Sequence, residues 1–172
     1  AVPLLIAIVN MTALSKGVVP LHASAFTYEG KGIVVTGWAK AGKTEALLSF
    51  MARGATYVGD EWIYLSCDGE KMFGIPEPIR LWTWQLDQMP RYKRAVSAGD
   101  RRKLRLIGAT ASGLDRLASN RLARRALPIG SMTRFAAALK RQLNVQIPPA
   151  KLFGADACQP TGRPDLFIFM VR

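Results

Sequence analysis

Three groups of residues in this sequence have the types and spacing for phosphate chemistry. Gly37-Trp38-Ala39-Lys40-Ala41-Gly42-Lys43-Thr44 reads G-x-x-x-x-G-K-T, the pattern of a phosphate-binding loop. Glycines let backbone N–H groups turn inward around phosphate oxygens, and the helix that starts there adds the positive end of its dipole. Lys43 would neutralise the outer phosphates, and the Thr44 hydroxyl would hold Mg²⁺. The second group is the acidic pair Asp60-Glu61, which can hold Mg²⁺ or take a proton from an attacking hydroxyl. Either acid suits the role of base, and Asp60 also suits a metal ligand. The third is His22, the only histidine, a proton relay or phosphate contact if it lies near the loop.

The elements around these residues must bring them together. Residues 21–28 and 32–36 read as two strands joined by Glu29-Gly30-Lys31, a tight hairpin. Folding about that turn sets residues whose numbers sum to about 59 opposite each other. His22 then faces Gly37, the first glycine of the loop. A helix is expected over 44–53, with Ala46, Leu47, Leu48, Phe50 and Met51 on its apolar face and Gly54 where it stops. A short strand over 55–58 carries Asp60-Glu61 at its C-terminal end. Residues 62–66 and 71–74 flank Asp68-Gly69-Glu70 as another hairpin.

The remaining elements are less marked. Residues 4–9 read as a buried strand. Residues 80–86 read as a strand with Trp82 and Trp84 packed on one face. The basic stretch 101–125 favours helix, with breaks expected at Gly108 and Gly113. Residues 133–143 read as an amphipathic helix with Phe135, Ala138, Leu139 and Leu143 on one side. A final strand is expected over 165–172.

Composition sets the outer limits. The chain has 172 residues, 49% hydrophobic and 21% charged, which suits one globular domain spanning 1–172. The apolar run 2–9 is too short to span a bilayer. It has no basic flank and no small-residue cleavage site, so a secretory signal is not expected. The first residue is Ala1 rather than Met, read as a processed or trimmed start. Cys67 and Cys158 are far apart and show no zinc spacing, which fits reduced thiols in a cytoplasmic protein. The net charge is +12 and the pI about 10.3. Eleven Lys or Arg lie between Arg91 and Arg125, against Asp100 and Asp115. Such a block attracts anionic partners: an acidic protein, a phosphorylated ligand, nucleic acid or lipid headgroups.

Residues 21–66 resemble the catalytic domain of the HPr kinase/phosphorylase family, whose fold is related to phosphoenolpyruvate carboxykinase. The resemblance rests on His22-Ala23, Gly32-Ile33-Val34-Val35-Thr36-Gly37, Gly42-Lys43-Thr44-Glu45, Arg53-Gly54 and Asp60-Glu61. It covers about a quarter of the chain and adds Glu45 to the nucleotide-binding segment. It implies an α/β P-loop fold with a mixed, partly antiparallel sheet, bound ATP and Mg²⁺, and phosphoryl transfer to a serine-type hydroxyl on a protein, peptide or small molecule. It further implies a homo-oligomer. The family's second acid falls on Glu61 rather than Asp. Its downstream metal motif has only Glu77, in "PEPIRLW", as a counterpart. Two other readings fit the loop alone: an ATPase or nucleotide switch, and a non-catalytic module binding through its basic face.

Overall fold

The computed structural model describes residues 3–120 and 129–171. Arg121, Arg124 and Arg125 of the basic stretch lie outside the described residues. The chain divides into two compact units, one formed by 1–79 with 148–172 and the other by 80–147.

The first unit holds two four-stranded sheets. The hairpin β2 (Ala23–Tyr28) and β3 (Lys31–Gly37) is the centre of one. Its ladder runs from Ala23 opposite Thr36 to Tyr28 opposite Lys31, the register expected from the turn. Ile33, Val34, Val35 and Thr36 are β-branched, which suits a pleated, packed surface. Antiparallel β4 (Thr56–Gly59) flanks β2, with an irregularity between Ala25 and Phe26. Parallel β10 (Leu166–Met170) flanks β3 on the other side. The sheet is therefore mixed, in the order β10-β3-β2-β4.

The second sheet runs β1 (Val18–Leu21), β5 (Ile63–Ser66), β6 (Met72–Gly74), β9 (Thr161–Gly162), all antiparallel. Ala23, Ala25, Val34, Val58, Ile63 and Met72 form a core with none of their surface exposed. Glycine permits the close approach at this core. A Cβ on Gly74 would lie 1.9 Å from the Val58 carbonyl oxygen, and one on Gly59 would lie 2.8 Å from Gly74 Cα. No side chain fits there, so β4 reaches Asp60 along a fixed path.

Helix α2 (Lys43–Met51) follows the loop after β3 and buries Leu47, Leu48 and Met51. Phe50 stacks on Phe26 at 4.6 Å and meets Tyr28 edge-on at 5.2 Å. Gly54 adopts φ 91° just past the helix end, as a chain reversal there requires.

Residues 4–9 are not a buried strand. They belong to helix α1 (Pro3–Ser15), on which Leu4, Leu5 and Ile8 are exposed. A short apolar run carries no period that separates strand from helix. Here the run continues for 13 residues, a helical length, and begins with a proline suited to a first helical turn.

The second unit is mainly helical. β7 (Ile79–Trp82) pairs with β8 (Asn144–Ile147). The expected strand over 80–86 breaks at Thr83, where α3 (Thr83–Gln88) starts. The Trp82 N–H donates to Gln85 Oε1 at 2.8 Å, a cap that helix formation satisfies and a continuing strand would not. Trp84 is consequently exposed rather than packed beside Trp82.

A 3₁₀ segment (Pro90–Ala95) leads into α4 (Ala98–Ser119), capped by Ser97, whose hydroxyl oxygen accepts from the Asp100 N–H at 3.0 Å. α4 runs unbroken through Gly108 and Gly113, contrary to the expected breaks. Leu104 and Ala111 are its buried residues, one helical period of two turns apart. α5 (Ile129–Lys140) buries Ala136, and Leu139 and Leu143 are half-buried as expected, while Phe135 and Ala138 point to solvent, so the expected face holds in part. Lys140 and Asp115 join the two helices with an ion pair at 2.6 Å. In the first unit, α6 (Pro149–Phe153) sets Phe153 against Tyr57 with ring centroids 5.6 Å apart.

Candidate active site

The residues at the C-terminal end of β3 form a loop whose backbone only certain residues tolerate. Gly37 has φ 136° and lies so close to β10 that a Cβ would sit 2.2 Å from the Met170 carbonyl oxygen. Lys40 has φ 62° and Gly42 φ 103°, both in the left-handed region that concave, anion-binding backbone uses. The Ala41 N–H closes the turn onto the Trp38 carbonyl at 3.1 Å. The amides of Lys43 and Thr44 begin α2 and so have no acceptor within the helix. Trp38, Ala39 and Lys40 are exposed, Trp38 to 67%, while Ala41, Gly42, Thr44 and Glu45 are half-buried.

Lys43 is buried. Its ammonium donates to the carbonyl oxygens of Gly37 at 3.2 Å and Trp38 at 3.1 Å. It is thus held by the loop it belongs to, with its charge delivered to the loop interior. Glu45 lies in the first turn of α2, where a carboxylate favours the helix dipole.

β4 brings the acids to the same place. Asp60 is 7% exposed. Thr44 Oγ1 lies 3.2 Å from one of its carboxylate oxygens and 3.4 Å from the other. Ser24, fully buried on β2, donates a short hydrogen bond to Asp60 Oδ1. Burial pushes the Asp60 carboxyl up to about 6, and the Glu61 charge adds to this, while the Ser24 and Thr44 hydroxyls pull it down. Tyr57, two residues inward from Gly59, is buried beside Asp60, and its phenol is pushed up first by desolvation and then by that carboxylate.

Glu61 takes a different direction from its neighbour. It has φ 70°, a conformation uncommon for a residue with a side chain and found at functional sites. Its carbonyl oxygen accepts from the Ala23 N–H at 3.2 Å. Its carboxylate meets His22 Nε2 at 3.1 Å, with both side chains about half exposed to solvent. The His22 carbonyl oxygen accepts from Thr36 Oγ1 at 3.3 Å, and its ring lies 5.8 Å from Trp62. The hairpin ladder ends at the Ala23–Thr36 pair, and His22 and Gly37 are the residues next beyond it in the chain.

The structure therefore joins half-buried Thr44 to buried Asp60, holds buried Lys43 on the loop carbonyls beside Thr44, and pairs His22 with Glu61 where both are accessible. Glu77 is half-buried, its N–H donates to the Ile75 carbonyl at 2.8 Å, and its charge bears on Tyr57 and Tyr64. Among the described residues no group of three or more His, Cys, Asp or Glu is gathered as a metal cage. The donor set at Thr44 and Asp60 still fits Mg²⁺, which takes hard oxygens and is usually held by one or two carboxylates together with phosphate oxygens. Ser24 is the residue that sequence reasoning missed. A serine inside a strand carries no motif, and only the β2–β4 pairing brings it to Asp60.

No protein-family model matches the chain, and no curated protein matches its sequence. Among solved structures, the chain is similar to the HPr(Ser) kinase/phosphatase from Coxiella burnetii, with a TM-score of 0.47 and 17% identity. That match covers 89% of this chain and 65% of the other, so the chain spans less than two thirds of the protein it matches. Among the described residues no helix is long and apolar enough to cross a membrane.

Proposed function

We propose that this chain transfers the γ-phosphoryl group of ATP to a hydroxyl of an acceptor, a serine-type alcohol on a protein, peptide or small molecule, within an HPr-kinase-like P-loop fold. The observation that carries the reading is the junction of Thr44 with Asp60, 3.2 Å apart across α2 and β4. A phosphate loop needs an acid at this point for phosphoryl transfer, and a chance glycine-rich turn does not.

The roles follow from placement. The loop 37–44 and the Lys43 ammonium hold the phosphates, and Glu45 belongs to the same nucleotide-binding segment. Thr44 and Asp60 are the oxygens that would hold Mg²⁺, which would supply charge neutralisation at the phosphates. Ser24 keeps Asp60 turned toward Thr44. Glu61 is the better placed base. It is accessible, it touches His22, and it is not engaged by Thr44 or Ser24. The acceptor hydroxyl gives its proton to Glu61 as its oxygen bonds to the γ-phosphorus. The bond from that phosphorus to the bridging oxygen breaks, and ADP leaves. His22 holds the Glu61 carboxylate and shares the proton it gains.

The test is direct. Purified protein with γ-labelled ATP and Mg²⁺ is given a library of serine- and threonine-containing peptides and small alcohols. Label is expected on an acceptor, and Lys43→Ala should remove it. Hydrolysis of ATP indifferent to every acceptor would replace this reading with an ATPase or switch. Salt-dependent binding of an anionic macromolecule without turnover would replace it with a binding module.

A further inference from the structure

The second unit contains a cavity of about 280 Å³ that no residue of the phosphate loop or acidic pair enters. Its size is near the lower end of pockets that hold small molecules, about 300–1,000 Å³. The floor is apolar: Leu86, Val96 and Leu104 line it, and each is at most 9% exposed. The rim is cationic. Lys93, Arg101 and Arg105 line it together with one acid, Asp87. Asp87 is already matched, to Lys93 Nζ at 2.8 Å. That pair leaves two guanidinium groups, one turn apart on α4, as the uncompensated charge of the lining.

Two like charges at i and i+4 repel and work against the helix that carries them. Nothing in the packing of α4 requires them, since Arg101 and Arg105 are exposed and the buried contact of that turn is Leu104. Placed over an apolar hollow, the two forks instead match a ligand with an anionic head and an apolar body. A phosphate monoester carries a charge of about −1.5 to −2 near neutral pH, which balances the two arginines. A polyanion fits less well. It would leave the apolar floor unused.

We infer that this cavity is a binding site for a small phosphorylated molecule with an apolar or aromatic body, its phosphate held by Arg101 and Arg105 and its body resting on Leu86, Val96 and Leu104. The site lies entirely within residues 80–147 and does not depend on the kinase reading of the first unit.

Phenyl phosphate is the probe, measured by isothermal titration calorimetry on the whole chain. Lys43→Ala protein is used so that the phosphate loop does not compete, and a repeat with saturating ATP and Mg²⁺ on the unmutated protein controls for that substitution. Phenyl phosphate is expected to bind about tenfold tighter than inorganic phosphate, the difference coming from ring burial. Arg101→Gln and Arg105→Gln should each weaken it about tenfold, Arg105→Lys should restore part of the loss, and Lys71→Gln should change nothing. Phenyl phosphate binding no tighter than inorganic phosphate overturns the proposal, as does affinity that ignores both arginine substitutions. Arginine-dependent binding of a short RNA or of heparin, with none of phenyl phosphate, also overturns it and marks the surface as a polyanion contact. Success or failure here leaves the label-transfer test of the first unit unaffected.

Discussion

In the first unit, a side chain added at Gly32, Gly37 or Gly74 would meet a backbone carbonyl oxygen at 1.8, 2.2 or 1.9 Å. In the second, the same addition at Gly108 meets only the tip of Leu143 at 3.9 Å, and at Gly113 it meets nothing within 4 Å. The charges divide in the same way. The charged residues buried among those described, Lys43 and Asp60, are both in the first unit, and each is held by specific oxygens. The described cations of the second unit are exposed, most of them on helices. The phosphoryl transfer proposed for the first unit would rest on positioning and fixed electrostatics, so its phosphate site would have to sit on backbone that cannot move aside. Recognition by exposed arginines over an apolar hollow makes no such demand.

The largest effect should come from breaking the fixed side. Lys43→Ala should lower the rate of phosphoryl transfer by about 10²–10³-fold or more, the scale for losing one preorganised charge donor. Arg102→Gln, on the exposed face of α4, should leave the rate within about twofold. Turnover at saturating ATP measures both. Comparable losses from the two would erase the contrast between a fixed site and a tolerant surface.

Gly74→Ala tests the same contrast through stability. Its Cβ would collide with the Val58 backbone, not with a flexible side-chain end. Overpacking of this kind costs about 1–3 kcal/mol or more. The urea midpoint should fall accordingly, and the shift of β4 should also loosen Asp60 from Thr44. A wild-type midpoint for Gly74→Ala would mean that the two sheets do not approach as closely as the fixed-backbone view requires.

Asp60 gives a pH-dependent version. Its carboxyl is raised from the ordinary carboxylate value of 3.8 to about 6 by burial, so the folded state holds its proton more tightly than the unfolded chain. The stability this contributes is full below pH 4. It is lost as pH rises through the window up to about 6, and above that window ionised Asp60 is a cost of about 2–3 kcal/mol in metal-free protein. Asp60→Asn has no such titration. The two proteins should therefore match in urea stability at pH 4, and Asp60→Asn should be the more stable at pH 7.5 in EDTA while losing activity. Parallel pH profiles would show that Asp60 is solvated and that the buried-charge half of the comparison is wrong.

The sequence made the first unit readable because its rules are local. A glycine-rich loop between a β-branched strand and an apolar helix, and a hairpin with a Glu-Gly turn, specify backbone within a few residues. The turn set the ladder register as expected, with Ala23 opposite Thr36. What was not readable depended on contacts distant in the chain. Ser24 reaches Asp60 through strand pairing across 36 residues. Residues 4–9 have the composition of a strand, and only their continuation to Ser15 makes them a helix. Trp84 leaves the strand because Gln85 caps Trp82, a choice no hydrophobic pattern records.

Gly108 and Gly113 were the strongest break signals in the basic stretch, yet α4 continues through both. Packing of its Leu104 and Ala111 face outweighs the cost of a glycine in a helix interior, about 1 kcal/mol relative to alanine. That cost is still present in the folded protein and is recoverable. A Cβ at Gly113 has open space, and neither glycine has a positive φ. Gly113→Ala should therefore raise stability by about 0.5–1 kcal/mol, read as a higher urea midpoint with an unchanged slope. Gly108→Ala should gain about as much, because its Cβ would meet Leu143 at 3.9 Å, an ordinary van der Waals contact. Neither should alter phosphoryl transfer. Destabilisation by Gly113→Ala would mean that α4 does break there and that the tolerant half of the molecule is not helical where the comparison needs it to be.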